Sequence, residues 1–137
     1  RGATPLPSEP ARSIPPAYPI SLIVHAELSA KRRVLVRLLV DTGATYTMIP
    51  VKTALAIGID PTAVTKRIPL VTVSTVEYPP LITLPQLTCL GHQLQRIDVV
   101  CHDLPPQSAV EGLLGLNALL RLPTFRTFLQ SIHTYLV

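Results

Sequence analysis

The sequence has no tryptophan, one methionine and two cysteines in 137 residues, and its aromatics stop at four tyrosines and two phenylalanines. With so few rings, the core must be aliphatic, assembled from Val, Leu and Ile. Two cysteines cannot make a disulfide framework, and Cys89 and Cys101 lack the CxxC spacing used for zinc or thiol exchange. They read either as two core thiols or as one bridge between neighbouring strands. Charge is thin as well: only 15% of residues are Asp, Glu, Lys or Arg, and a net charge of +4 is too small an excess to specify nucleic acid. No apolar run reaches the roughly 18 residues that a membrane span requires. Arg37, Asp41 and Arg121 interrupt the longest candidates, and no signal-peptide pattern is present.

Several chemistries are missing too. There is no glycine-rich phosphate loop and no GxSxG nucleophile motif. His25, His92, His102 and His133 show neither HxH nor HxxxH spacing, so no metal or cofactor site is expected. A Cys–His nucleophilic pair, such as Cys101 with His25 or His133, has no local signature.

What is present points to one β-rich domain with a tail. The composition is 47% hydrophobic, ample for a core, while 15 prolines argue against a helical bundle. Residues 1–19 hold six of those prolines and few large aliphatics, which reads as a leader or linker, with the folded domain at 20–137. The chain opens on Arg1 and its one methionine is Met48, so it reads as a piece of a longer precursor, with the leader a candidate for self-processing.

Within the domain, residues 20–28 alternate as a strand, 29–33 are a polar turn and 34–40 a second apolar strand. The pair predicts a hairpin whose tip carries Lys31, Arg32 and Arg33, solvated or available to an acidic partner. Residues 52–57 predict one or two helical turns closed by Gly58. Residues 70–75, 81–90 and 95–101 are β-rich, a short helix is expected after Gly115, and 127–137 reads as a terminal strand. Many short strands with one or two short helices and no repeat mean an all-β barrel or sandwich-like fold.

The chemistry sits where the second strand ends. Leu38-Leu39-Val40 run straight into Asp41-Thr42-Gly43-Ala44-Thr45, placing one acid in a tight turn at the end of a buried strand. Gly43 allows close backbone approach. An Asx-type turn that merely closes the strand is the plain alternative.

This stretch, followed by the apolar Met48-Ile49-Pro50, resembles the active-site loop of aspartic proteases. About seventy residues later, Glu111-Gly112-Leu113-Leu114-Gly115-Leu116-Asn117-Ala118-Leu119 resembles the second signature of the retroviral-type members, two aliphatics, a glycine and a short helix. The chain from about residue 20 onward is similar to retropepsin-like proteases of the cellular and bacterial branch, including the protease-like domain of ubiquitin-shuttle proteins of the DNA-damage-inducible type. The resemblance implies a closed barrel-like acid-protease fold, active as a homodimer on peptide or protein substrates. It makes Asp41 the catalytic acid and gives Thr42 and Gly43 a bracing role in the loop. It also implies that Gly43, Ala44, Thr45, Leu114 and the flap residues Ser74, Thr75 and Val76 meet substrate, with Val40 and Ile49 adding apolar lining. The terminal strand, around Ile132 to Leu136, would pair with the dimer mate.

That chemistry needs two carboxylates sharing a proton, since like charges about 3 Å apart cannot both ionise. Asp60, Asp98 and Asp103 are not followed by Thr-Gly or Ser-Gly, so a second such loop cannot be built within the chain and the partner must be itself. The flap region at 71–83 departs from the family in having no glycine and in carrying Pro79-Pro80, which predicts a stiff flap. Asn117 stands where a charged residue is common. A non-catalytic dimerisation or peptide-binding module on the same fold is the alternative.

Overall fold

The computed structural model describes residues 22–136, with side chains as far as Ile132. The leader expected at 1–19 lies outside the described residues. Strands β1 (Ile23–Ser29) and β2 (Arg33–Val40) form the expected antiparallel hairpin, in register Ile23↔Leu39 through Ser29↔Arg33. Its inward positions, Val24, Ala26, Leu28, Val36 and Leu38, are buried, and the alternation of apolar residues put them there. Next come β3 (Thr47–Ile49), helix α1 (Val51–Ala56), a 3-10 turn at Pro61–Ala63 and the short strands β4 (Leu70–Val71) and β5 (Val76–Glu77). The long hairpin of β6 (Leu81–Cys89) and β7 (His92–Cys101) follows, then β8 (Gly112–Leu114), α2 (Leu116–Leu119) and α3 (Pro123–Leu136).

Six strands close a barrel in the order β1-β2-β8-β3-β7-β6, with β4 and β5 forming a separate two-stranded sheet. Closure leaves no free edge in the barrel ladder. Its interior is aliphatic: Leu28, Leu38, Ile49, Leu84, Leu87, Ile97, Val99 and Leu114 are each almost wholly buried. Pro85 interrupts β6 without a donor, and opposite it Arg96 turns to φ 56°. The carbonyls of Gln95 and Arg96 are taken up by the Arg121 guanidinium, at 2.6 and 3.4 Å.

Six residues are too few to hold a helix by themselves, and α1 is capped from outside at both ends. Asp103 Oδ1 accepts from Val51 N at 3.1 Å at its start. At its end Arg32 donates from Nε to the Ala56 carbonyl (2.8 Å) and from Nη2 to that of Leu55 (3.1 Å). The hairpin tip, expected to be solvated or held for an acidic partner, is thus tied to a helix C-terminus, where a cation is favoured.

The terminal segment is a correction. Residues 127–137 were expected as a strand, but α3 covers Pro123–Leu136. Leu122, Phe125, Phe128, Leu129 and Ile132 recur at helical spacing. Pro123 suits the first helical position, which needs no amide donor, and a closed barrel offers no edge to a further strand from the same chain. Among the described residues the α-helices therefore number three, against the one or two short ones expected. Among the described residues no helix is long and apolar enough to cross a membrane.

Cys89 and Cys101 are free and buried at opposite ends of the β6–β7 hairpin, so the bridge alternative falls. Burial raises both thiols above their ordinary 9.0, that of Cys101 to about 11. Below pH 9 the thiols are neutral in the folded and unfolded chain alike. As pH rises from 9 towards 11 the unfolded chain releases these protons first, so stability should fall across that window. Urea melts should show the fall, and Cys101→Ala should flatten it. A thiol reagent at pH 8 should label neither cysteine until urea is added.

Candidate active site

The loop after β2 is held by backbone bonds to the segment that carries β8 and α2. Asp41 N donates to the Leu114 carbonyl (3.0 Å), Leu116 N to that of Ala44 (2.8 Å) and Asn117 N to that of Thr45 (3.1 Å). These ties continue the parallel ladder of β2 on β8, in register Leu38↔Gly112 to Val40↔Leu114. Just upstream, Arg37 and Glu111 fix the approach to β8. Glu111 N donates to the Arg37 carbonyl (2.8 Å), the Glu111 carboxylate accepts from Arg37 N (2.6 Å), and the Arg37 guanidinium reaches the Ala109 carbonyl.

The two segments cross at contact distance, which only glycine permits. A Cβ on Gly115 would collide with the carbonyl of Tyr46, and one on Gly112 with that of Met48. Around the crossing runs a polar chain. Thr47, fully buried, accepts from Gly115 N at 3.1 Å and donates from its hydroxyl to Asn117 Oδ1 at 3.0 Å. The same oxygen accepts from Thr47 N (2.9 Å), and Asn117 Nδ2 donates to the Asp98 carbonyl (2.6 Å) on β7. Every polar atom in the chain is matched, as a buried network requires.

Asp41 sits on this braced loop, half-buried, with Oδ1 accepting from Gly43 N at 2.9 Å and its carbonyl from Ala44 N at 3.2 Å. The second carboxylate oxygen appears in none of the hydrogen bonds among the described residues. Thr42, Gly43 and Thr45 are exposed around it, and Ala44 is half-buried.

Ser74, Thr75 and Val76 lie apart from this loop, on the exposed β4–β5 hairpin. In place of a glycine, Thr72 closes its tip. Thr72 N and Oγ1 donate to the Thr75 carbonyl at 2.8 and 3.0 Å, and Thr75 N donates back to Thr72 Oγ1 at 3.1 Å. The hairpin's base is tied down by Arg67 Nη1 on the Tyr78 carbonyl (2.9 Å) and by Glu77 Oε1 against His102 Nε2 (3.1 Å). Val71, Val73 and Tyr78 project into solvent.

Leu114 was expected to offer its side chain to substrate, and Ile49 to add to the lining. Both are fully buried in the core, so Leu114 serves the site through its carbonyl, and Val40 and Val76 are the two apolar candidates left near the surface. Sequence reasoning missed Thr47 altogether and left Asn117 without a role. An Asn straight after Leu-Leu-Gly-Leu was the visible signal, but its partners lie 70 and 19 positions away. Among the described residues no three His, Cys, Asp or Glu side chains converge as metal ligands.

The family model described as aspartyl protease matches residues 26–118, the stretch from β1 through the crossing. The chain belongs to that family. The protein is similar to a retropepsin-like aspartic protease from Rickettsia conorii in its crystal structure, at TM-score 0.60 and 21% identity over 75% of this chain and 73% of that one. The closed barrel with few helices is thus the retropepsin-like fold. Among curated proteins none matches.

The site's rigidity is testable at Asn117, which no substrate need touch. Asn117→Ala removes three hydrogen bonds around half-buried groups, and the expected loss is about 2–4 kcal/mol in urea unfolding. Ser74→Ala, on the exposed hairpin, should stay within about 0.5 kcal/mol.

Proposed function

We propose that this aspartyl protease family member is an active endopeptidase, and that it hydrolyses peptide bonds as a homodimer in which each copy contributes Asp41. The observation that carries the reading is the placement of one Asp-Thr-Gly on a loop locked by the Gly115 crossing, with Asp41 half-buried and its neighbours exposed. In such a dyad one carboxylate takes a proton from water while the other gives its proton to the scissile carbonyl oxygen. Water then adds to the carbon, and collapse of the tetrahedral species returns a proton to the leaving amine. A rigid loop serves this chemistry because two carboxylates must be held at proton-sharing distance before substrate arrives.

Gly43, Ala44 and Thr45 on one side and Ser74, Thr75 and Val76 on the other would hold an extended peptide as an added strand. Main-chain bonds would supply affinity and pockets for alternate side chains specificity. Val40 and Val76 favour hydrophobic residues beside the cut. Thr42, exposed at the loop's apex, would brace the partner's loop.

The Gly43 N to Asp41 Oδ1 bond favours a second reading, in which Asp41 only closes an Asx turn on a non-catalytic module that dimerises or binds peptides. Asn closes the same turn but cannot shuttle the proton, so Asp41→Asn separates the two. Purified protein incubated with a mixed peptide library between about pH 3 and 7 should yield cuts with a bell-shaped pH dependence, blocked by a statine-type inhibitor. Asp41→Asn should lose cleavage at least about 1000-fold while melting at the wild-type temperature. Equal cleavage by wild type and variant would end the protease reading.

A further inference from the structure

Beside the candidate catalytic loop lies an apolar surface that the barrel leaves uncovered. Phe125 of α3 packs half-buried against the core, its ring 6.4 Å from that of Phe128. Three, four and seven positions after Phe125 come Phe128, Leu129 and Ile132, one stripe along the helix. They remain 57%, 38% and 38% exposed. Between α3 and β1 a groove of about 510 Å³ opens, lined mostly by Leu22, Ile23, Val40, Leu90, Leu119 and Phe128. Its wall reaches the site directly: Val40 precedes Asp41 in the chain, and Val40 N donates to the Leu22 carbonyl at 2.8 Å.

We propose that this groove and the α3 stripe are the seam between two copies of the chain, the stripe of each lying in the groove of the other. The inference rests on reading Asp41 as half of a shared dyad. If two Asp41 carboxylates share a proton, the two-fold axis passes between them, and the surface next to Asp41 must face its own copy. Val40 and Leu22 stand at that place, and the groove runs from them to α3.

The chemistry of the face suits self-association. An isologous contact sets each residue near the axis against its own copy, so a charge there would repel itself. Phe125, Phe128, Leu129 and Ile132 carry none, Arg126 is turned about 100° away from Phe125 around the helix, and His25 is the one titratable side chain in the groove's lining. A continuous apolar patch of this kind marks an interaction surface, unlike single exposed aliphatics. The seam is helical. It replaces the pairing of terminal strands that the family resemblance implied.

Phe128→Glu tests the seam. Over half exposed, Phe128 contributes little to the single chain, so circular dichroism and the melting temperature should change little. Burying a charge where an aromatic anchor sat should raise the dimer dissociation constant at least about 30-fold. In sedimentation at about 10 µM the wild type should run as a dimer and the variant as a monomer. Cleavage by the variant should fall correspondingly and recover as protein concentration rises. Should Phe128→Glu fail to fold, a mixture of Ile23→Cys and Leu129→Cys proteins decides: with each stripe in the other copy's groove, mild oxidation should give a covalent dimer on a non-reducing gel, Cys89 and Cys101 being buried.

A Phe128→Glu protein that stays dimeric with undiminished cleavage overturns the seam, as does a dimeric mixture of Ile23→Cys and Leu129→Cys proteins that never cross-links. Loss of binding to phosphatidylserine vesicles with the dimer unchanged overturns it too, assigning the stripe to a lipid surface. In each case Asp41-dependent cleavage in the wild type would leave the protease reading standing. Conversely, cleavage that survives Asp41→Asn would sink that reading while the sedimentation result still judged the seam.

Discussion

The crossing of two chain segments at Gly112 and Gly115 is the contact on which the rest of this molecule depends. Backbone packs on backbone there, with no Cβ at Gly112 or Gly115 to hold the segment off the carbonyls of Met48 and Tyr46. Such an approach strips water from amides and carbonyls, and each must find a partner within the protein. Thr47 and Asn117 provide them, and the parallel ladder of β2 on β8 supplies the remainder. The carboxylate of Asp41 consequently hangs from a support with little freedom, which positional chemistry needs.

Outside that crossing the structure is held by reach across the sequence. α1 is capped by Arg32 from the first hairpin and by Asp103 from beyond β7, so its stability belongs to the tertiary structure and not to its six residues. The β4–β5 hairpin is the converse case. Its strands are two residues long, most of its apolar side chains face solvent, and it is held by a turn closed by Thr72 and by contacts at its base, among them Ile68 N on the Pro79 carbonyl, Arg67 on that of Tyr78 and Glu77 on His102. Few buried contacts mean a low free energy of local opening, which suits the proposed role of this hairpin over a bound peptide. The missing glycine at its tip leaves motion to the base, where Glu77 meets His102.

The Asp41 loop and the β4–β5 hairpin thus differ in kind. One is a rigid loop inside a polar network, the other a lightly held hairpin. The apolar surface beside Val40 adds a third element: if Asp41 is half of a shared dyad, as proposed, the site stays incomplete until that surface is covered. Burying the Phe128 stripe and assembling the dyad would then be one event, which links activity to protein concentration.

Much was legible without coordinates. Apolar alternation in β1 and β2 identified the hairpin and its inward face, Gly58 marked the end of α1, and the spacing of Asp-Thr-Gly from Leu-Leu-Gly identified the two segments that meet. These are local signals, set by side-chain periodicity and by the backbone freedom of glycine, and they survive in one dimension. The sequence could not tell that Leu114 and Ile49 point into the core, because burial depends on which strands flank each residue. It could not pair Thr47 with Asn117, 70 positions away, nor send Arg32 to a helix terminus. Residues 127–136 carry apolar side chains compatible with strand or helix, and they are helix because the closed barrel leaves no edge for a further strand. Local pattern determined the elements and the loop that carries Asp41; closure of the barrel decided what each element could still touch.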